Sequence, residues 1–242
     1  MARHILDATD STNAHGLRLA PILDGPAWFV AHAQTAGRGR RARPWISPRG
    51  NFYGSLILHP SGTLDKIALR SFVAALALRN AFVALTGLPA AFTLKWPNDV
   101  LLNGGKVAGI LLESAGQAAG AVHLAVGMGV NLISAPDAQL VEPGATPPVS
   151  LLGETGLRIT PEAFLDALAP AFARLEMEFA AQGFAPIRTA WLDHAARLGE
   201  VITARTGIIS REGTFQTIDD AGNLILITAQ GPVSIAAAEV FF

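Results

Sequence analysis

Hydrophobic residues along the chain fall into short apolar runs and longer segments that are apolar on nearly every face. Short runs of β-forming residues bounded by Gly, Pro and Asn are typical of strands. An all-round apolar segment is typical of a helix packed deep against a sheet. The pattern predicts strands over residues 27–33, 51–58, 92–96, 100–102, 106–113 and 121–132, helices over 64–85 and 161–182, and a short helix capped at Asp10-Ser11-Thr12-Asn13.

Successive strands combined with two long helices predict an α+β fold built on a mostly antiparallel sheet packed with helices. The pattern changes at about Gly199, where β-formers alternate or cluster between glycines. This pattern is typical of a small barrel of short strands. We therefore predict two domains, residues 1–197 and residues 198–242, with a boundary near residue 197.

Residues 34–50 show neither helical nor strand periodicity. The segment is rich in Gly, Arg and Pro and predicts an exposed loop. Long loops inside compact domains are usually functional or disordered. This loop is therefore the first place to look for chemistry.

Composition narrows the class of protein. The 242 residues carry a net charge of −1, with 15% charged and 50% hydrophobic residues, which excludes a disordered chain and argues against a generally basic nucleic-acid binder. With no cysteine there are no disulfides, catalytic thiolates or Cys-ligated zinc. No signal-peptide pattern follows Met1, and the uncharged run over 114–136 is broken by glycines and amides, so we expect a cytoplasmic protein without a membrane segment.

Arginines are concentrated in the predicted loop, in the run Gly37-Arg38-Gly39-Arg40-Arg41-Ala42-Arg43. Glycines let backbone N–H groups approach phosphate oxygens, and guanidinium groups bind those oxygens in pairs. The interleaved glycines and the adjoining Trp45, whose ring could stack on a purine, favour a phosphate site. A solvated basic loop, or a patch for nucleic acid, is the alternative.

Lysines are scarce, since only three stand against fifteen arginines. Lys106 opens an apolar strand, where a compact, mobile ammonium could stabilise charge moving between a phosphate and a carbonyl oxygen. Protection of a strand edge is the alternative.

The glycines of Gly127-Met128-Gly129-Val130-Asn131 indicate close approach of backbone or ligand, or else β-bulges. The six histidines show no metal-ligand spacing, so no structural metal is expected.

Five motifs together resemble the biotin–protein ligase family. They occur in the family's order and with similar spacing, and the resemblance covers residues 4–135 well and 136–198 more weakly. Residues 199–242 resemble the family's SH3-like C-terminal domain. The motifs are Asp10-Ser11-Thr12-Asn13, Gln34-Thr35-Ala36-Gly37-Arg38-Gly39-Arg40-Arg41, Lys95-Trp96-Pro97-Asn98-Asp99, Gly105-Lys106-Val107-Ala108-Gly109-Ile110-Leu111 and Gly127-Met128-Gly129-Val130-Asn131.

The resemblance implies a catalytic domain like that of class II aminoacyl-tRNA synthetases. The implied enzyme joins biotin to ATP with Mg²⁺, giving biotinyl-5′-AMP, and then transfers biotin to a lysine of a biotin carboxyl carrier protein. It implies catalytic roles for Lys106, Arg38, Arg40 and Asp99. The residues that it implies for biotin contact are Ser11, Thr12, Asn13, Gln34, Gly37, Arg38, Gly39, Arg40, Lys106 and Gly109. The residues that it implies for nucleotide contact are Arg38, Arg40, Arg41, Trp45, Asn98, Lys106 and Asn131. Mg²⁺ is expected near Asp99, and no metal is expected to be held by protein ligands alone.

Two features qualify the resemblance. Ala42 stands where many relatives have glycine, so a positive φ there would strain the loop. The first motif begins at residue 10, so we expect neither a preceding helix-turn-helix domain nor DNA binding. A lipoate–protein ligase or octanoyltransferase is the nearest alternative function and a nucleic-acid-binding module a remote one. Relatives differ in assembly, so the chain is expected to be a monomer or a homodimer.

Overall fold

A computed structural model describes residues 1–116, 123–137 and 144–242. Seven strands form the larger sheet, in the order β1-β2-β3-β7-β6-β5-β4. β1 and β2 are parallel, and every other neighbouring pair is antiparallel. The strands are β1 (Ala2–Leu6), β2 (Ala27–Ala31), β3 (Phe52–Leu58), β4 (Phe92–Lys95), β5 (Asp99–Leu102), β6 (Gly105–Ala115) and β7 (His123–Val130).

Helices cover both faces of this sheet. The described helices are α1 (Thr12–Leu19), α2 (Leu64–Ala68), α3 (Arg70–Thr86), α4 (Leu151–Thr155), α5 (Pro161–Gln182) and α6 (Phe184–Leu192). On one face, Trp28, Leu56 and Val126 belong to the main core with α3 and α5. On the other face, Phe29 and Ile57 pack beneath α1. β2 and β3 are therefore buried on both sides, which explains their unbroken apolar runs.

The C-terminal residues form a five-stranded sheet in the order β11-β10-β9-β8-β12. Its strands are β8 (Val201–Thr206), β9 (Ile209–Ile218), β10 (Leu224–Thr228), β11 (Gly231–Ile235) and β12 (Glu239–Phe241). The Trp96 indole donates to the carbonyl of Gly222 at 2.9 Å, which ties the β9–β10 turn to the larger sheet. The predicted boundary near residue 197 falls between α6 and β8 and stays a prediction.

The predicted α+β class is confirmed, and the strands and helices lie close to their expected positions. Residues 121–122 of the strand predicted over 121–132 lie outside the described residues, and helices α4 and α6 were not predicted. Three further elements differ. The helix expected over 64–85 is divided at Leu69 into α2 and α3. Together these helices are long and apolar enough to cross a membrane, but 72% of their most apolar 18-residue stretch is buried inside the protein. β1 is an exposed edge strand and β12 has three residues, so neither carries a clear apolar pattern.

Candidate active site

A cavity of about 480 Å³ opens on the α1 face of the larger sheet. Its wall combines the start of α1, the arginine loop, the turn after β4, the centres of β6 and β7, and β12 of the C-terminal sheet. Six cationic and two anionic side chains are among the lining residues. The predicted site residues that line it are Ser11, Thr12, Asn13, Gln34, Arg38, Gly39, Arg40, Arg41, Trp45, Asn98, Asp99, Lys106, Gly109 and Asn131.

Gly37 is the one predicted site residue outside this lining. A Cβ at this position would lie 2.6 Å from the carbonyl oxygen of Trp45 and 2.7 Å from the hydroxyl oxygen of Ser47. The loop backbone packs too closely there for any side chain. Gly37 therefore shapes the loop.

The start of α1 contributes uncharged hydrogen-bonding groups to one end of the cavity. The Ser11 side chain caps the helix by accepting from the Ala14 amide, as the sequence predicts. The Thr12 amide donates to the Gln34 side-chain oxygen at 2.9 Å. The Gln34 side-chain nitrogen donates to Ser47 at 3.0 Å. These bonds join α1 to the arginine loop.

Ser55, at the centre of β3, connects the same groups to the sheet. Its hydroxyl oxygen lies 2.7 Å from the Thr12 hydroxyl and 2.5 Å from the Asn13 side-chain oxygen, and the residue is fully buried. The Asn13 side-chain nitrogen donates to Glu113 at 2.8 Å. A Cβ on Gly127 would lie 2.4 Å from Asn13. That glycine is therefore required for close approach, one of the two explanations left open by the sequence.

Carboxylates from three different strands engage the arginine loop and the lysine beside it. Arg38 donates to Glu113 of β6 at 3.1 Å. Glu239 of β12 pairs with Arg41 at 3.2 Å, with Arg43 at 2.5 Å and with Arg205 at 2.9 Å. Asp99 of β5 pairs with Lys106 at 2.7 Å. The loop is thereby attached to both sheets.

Arg41 and Ala42 both adopt left-handed backbone conformations, with φ of 56° and 57°. The left-handed region costs an L-residue with a Cβ about 1–2 kcal/mol. The strain anticipated at Ala42 is therefore present. It lies in the part of the loop whose neighbours, Arg41 and Arg43, are bound by Glu239.

Lys106 lies in the wall of the cavity. Besides its ion pair with Asp99, its Nζ lies 5.6 Å from the centre of the Trp45 ring. A Cβ on Gly129 would lie 2.5 Å from Trp45, and one on Gly109 would lie 3.1 Å from it. The two glycines therefore leave room for a flat ring on the sheet. The Trp45 indole nitrogen is buried without a hydrogen-bond partner among the described residues.

Two predicted nucleotide contacts also serve the local structure. Asn98 donates to the Ile110 carbonyl at 2.6 Å, and its side-chain oxygen accepts from Arg40 at 3.3 Å. Asn131 is buried and donates to the Val149 carbonyl at 3.1 Å. Both amides are fixed in place and still border the cavity.

Burial and neighbouring charge shift three pKa values at the cationic end. Burial lowers the pKa of Arg40 and that of Lys95, and Asp99 opposes the effect on both. Burial alone would raise the pKa of Glu239, but hydrogen bonds from Arg205 and Arg43 outweigh burial and lower it. Within the described residues no cluster of three metal-ligating side chains occurs.

Four residues of the site were not found from the sequence: Ser47, Ser55, Glu113 and Glu239. Ser55 could have been noticed in the sequence, because it is the one serine or threonine in the otherwise apolar and aromatic strand β3. Glu113 and Glu239 lie far along the chain from the arginines that they bind. Only the folded sheets bring these partners together.

Comparison with known proteins assigns the chain to a family. Residues 6–131 match the model of the biotin/lipoate A/B protein ligase family, and residues 198–242 match that of the biotin protein ligase C terminal domain. The chain belongs to the biotin/lipoate A/B protein ligase family. The arginine loop, the Lys95–Asp99 turn and Lys106 all lie within the matched residues 6–131.

Individual relatives agree with this assignment. The chain is 60% identical to the biotin–[acetyl-CoA-carboxylase] ligase of Paracoccus denitrificans over 98% of this chain and 99% of the relative. It is 32% identical to the bifunctional ligase/repressor BirA of Bacillus subtilis, covering 98% of this chain and 71% of the relative. The biotin protein ligase of Aquifex aeolicus in complex with biotin and ATP matches with a TM-score of 0.80 and 26% identity, over 99% of this chain and 97% of that one.

Proposed function

We propose that this protein is a biotin–[biotin carboxyl carrier protein] ligase that acts in the cytoplasm. It activates biotin with ATP as biotinyl-5′-AMP and transfers the biotinyl group to a lysine of a carrier protein of acetyl-CoA carboxylase or a related carboxylase. One observation carries the proposal. A single cavity is lined by uncharged hydrogen-bonding side chains from the start of α1 and by six cationic side chains, and the Lys106–Asp99 ion pair belongs to the same lining.

The uncharged end suits biotin. The biotin ureido group offers both donors and acceptors, which hydroxyl and amide side chains match. We assign this contact to Ser11, Thr12, Asn13 and Gln34, with the backbone at Gly39 and Gly109 close to the ligand. Arg38 and Arg40 would then contact the biotin carboxylate, and Gly37 would contribute through the shape of the loop.

The cationic end suits the nucleotide. Arg38, Arg40 and Arg41 would bind phosphate oxygens, and Trp45 would lie beside the adenine, with Asn98 and Asn131 fixing the edge of this pocket. In the first step a biotin carboxylate oxygen attacks the α-phosphorus, and the bond to pyrophosphate breaks. In the second step the carrier lysine amine attacks the biotinyl carbonyl, and AMP leaves.

Lys106 is proposed to act in both steps. Its ammonium can contact the α-phosphate and the biotinyl carbonyl oxygen together, where negative charge develops in each transition state. Asp99 orients it through the 2.7 Å ion pair. Asp99 could also supply one oxygen to Mg²⁺ that arrives with ATP and neutralises phosphate charge, since Mg²⁺ is usually bound through one or two carboxylates and substrate phosphates.

The arginine loop is proposed to retain the intermediate. Biotinyl-AMP is a mixed anhydride, and exclusion of water from a closed site prevents its hydrolysis. Glu239 and Glu113 connect the loop to both sheets, so loop position depends on ion pairs that a ligand can replace. Arg38 would leave Glu113 to contact the ligand.

The direct test is to incubate the protein with biotin, ATP, Mg²⁺ and an acetyl-CoA carboxylase carrier domain. The expected result is a mass increase of one biotinyl group on one carrier lysine, which disappears when ATP is omitted. Titration calorimetry with biotin and with lipoate distinguishes the lipoate ligase alternative. Binding of lipoate without binding of biotin would refute the proposed substrate.

A further inference from the structure

Glu113 of β6 accepts hydrogen bonds from two residues that line the cavity, although Glu113 is not among the lining residues itself. One of its carboxylate oxygens accepts from the Asn13 side-chain nitrogen at 2.8 Å. The other accepts from the Nε of Arg38 at 3.1 Å and lies 3.1 Å from a terminal nitrogen of the same guanidinium. A single carboxylate therefore joins the start of α1 to the arginine loop.

The two partners of Glu113 differ in how firmly they are held. Asn13 is 4% exposed, its side-chain nitrogen also donates to the Leu111 carbonyl at 3.2 Å, and its side-chain oxygen lies 2.5 Å from the Ser55 hydroxyl. The Arg38 side chain is 42% exposed, and within the described part of the chain Glu113 is the one hydrogen-bonding and ion-pairing partner of its guanidinium. Arg38 can therefore leave Glu113 more readily than Asn13 can.

Biotin is too long to take the place of Glu113 between the same two groups, if its ends bind as the proposed function assigns them. Its ureido group and its carboxylate are separated by a bicyclic ring and a pentanoyl chain. Asn13 and Arg38 meet on one carboxylate, so they lie much closer together than the two ends of biotin do. Arg38 must therefore release Glu113 before its guanidinium can contact the biotin carboxylate.

The exchange is one carboxylate for another on the same guanidinium, whose fork of N–H groups fits a carboxylate. We propose that Glu113 is a positioning residue that occupies Arg38 until the biotin carboxylate displaces it. The affinity for biotin then includes the cost of breaking the Arg38–Glu113 pair. This inference rests on the proposed function and adds a competing group to it.

A competitor and a structural support have opposite effects when they are removed. Removal of a support weakens the binding of every ligand at the site. Removal of the competing carboxylate strengthens the binding of biotin, whereas biotinol, in which a hydroxyl replaces the carboxylate, gains nothing because it does not draw Arg38 away. The ratio of the biotinol Kd to the biotin Kd isolates this effect, since a change at Asn13 alters the binding of both ligands alike.

The experiment compares Glu113→Gln and Glu113→Ala with Glu212→Gln in the full chain. Glu212 is exposed on β9, so Glu212→Gln removes the same charge outside the cavity. Titration calorimetry measures the Kd of biotin and the Kd of biotinol without ATP. Because a partly exposed ion pair contributes little free energy, the ratio of the two Kd values should rise about two- to fivefold in both Glu113 variants. It should not change in Glu212→Gln.

Arg38→Ala provides the second comparison. In this background Glu113→Gln should change the ratio no further, because the two residues act through one ion pair and their effects are not additive. A rise that persists without Arg38 would overturn the proposal, since it would then reflect repulsion between Glu113 and the biotin carboxylate.

A raised ratio in both Glu113 variants that disappears in the Arg38→Ala background would support the proposal. An unchanged or lowered ratio would overturn it. Loss of the fold in both Glu113 variants, measured by circular dichroism, would also overturn it, because Glu113 would then serve stability. If the wild-type protein and Glu212→Gln bind neither biotin nor biotinol, the proposed function itself fails.

Discussion

The two ends of the cavity differ in how far their polar groups are satisfied without a ligand. At the uncharged end, Thr12, Asn13 and Ser55 lie in one buried network of hydrogen bonds. At the cationic end, Lys95 has no carboxylate partner among the described residues and Arg40 donates only to a neutral amide. One end has its polar groups already hydrogen-bonded to one another, whereas the other holds Lys95 and Arg40, for which the described residues provide no ion pair with a carboxylate.

This difference matches the ligands proposed for each end. A neutral ureido group gains from groups already held in position, because little ordering entropy remains to be lost. A polyphosphate gains most from positive charge that has been taken out of water. Binding at the uncharged end should therefore depend on individual hydrogen bonds, and chemistry at the cationic end on single ammonium and guanidinium groups.

Lys106→Ala is the substitution expected to have the largest effect. It removes the ammonium at the junction of the two ends and should lower the rate of adenylate formation by about 100- to 1000-fold. Lys106 forms one partly exposed ion pair, so the protein should stay folded. Pyrophosphate release measures the rate, and Lys66→Ala is the matched control. Unchanged turnover would show that the junction does not carry the chemistry.

Ser55→Ala tests the uncharged end alone. Thr12 and Asn13 would each lose a buried partner, so biotin affinity should fall about tenfold, equivalent to about 1.4 kcal/mol. The KM of ATP should not change. Titration calorimetry measures the biotin affinity of this variant and of Ser61→Ala, a control at an exposed serine. A comparable loss of ATP affinity would mean that the two ends are not separable.

Glu239→Gln tests the attachment of the arginine loop to the C-terminal sheet. Weaker contacts to Arg41 and Arg43 should release biotinyl-AMP several-fold faster, measured as labelling of bystander lysines. Glu212→Gln, on an exposed position of β9, is the control. Equal retention of the intermediate in Glu239→Gln and wild type would contradict a role for this carboxylate.

The same carboxylate gives a pH dependence with a defined sign. The pKa of Glu239 is lowered in the folded protein from its ordinary value of 4.5. Its contribution is therefore fully present above pH 4.5 and is lost as the pH falls through the lowered value. Release of the intermediate should accelerate in that acidic range in wild type, and Glu239→Gln should show no such acceleration.

Ala42→Gly is expected to have the smallest effect. Glycine would relieve the left-handed strain at φ 57° but would make the unfolded chain more flexible, leaving a net gain of about 0.5 kcal/mol in the free energy of unfolding. Thermal unfolding should show a rise of about 1–2 °C in Tm. The matched control is Ala180→Gly, at an exposed helical position of α5, which should lower the Tm because glycine relieves no strain there. A lower Tm for Ala42→Gly would show that the strain is compensated within the loop.

The sequence predicted what depends on local pattern. Apolar runs located the strands and the buried helix, and the cap at Ser11 followed from residue type. The sequence also predicted the exposed loop over residues 34–50, with its cluster of arginines, and a chemical role for Lys106. Pairings across the fold could not be predicted, because Glu239 and Glu113 stand far from Arg43 and Arg38 in sequence. Lys95 was visible in its motif, but its burial without a counter-ion became apparent only in the structure.

The most direct test of the central claim is pyrophosphate release in a single turnover without carrier protein. When the protein, biotin, ATP and Mg²⁺ are mixed, we expect a burst of one pyrophosphate per chain and one biotinyl-AMP that stays bound. Binding of both biotin and ATP without such a burst would contradict the claim that Lys106 brings the two ligands into reaction.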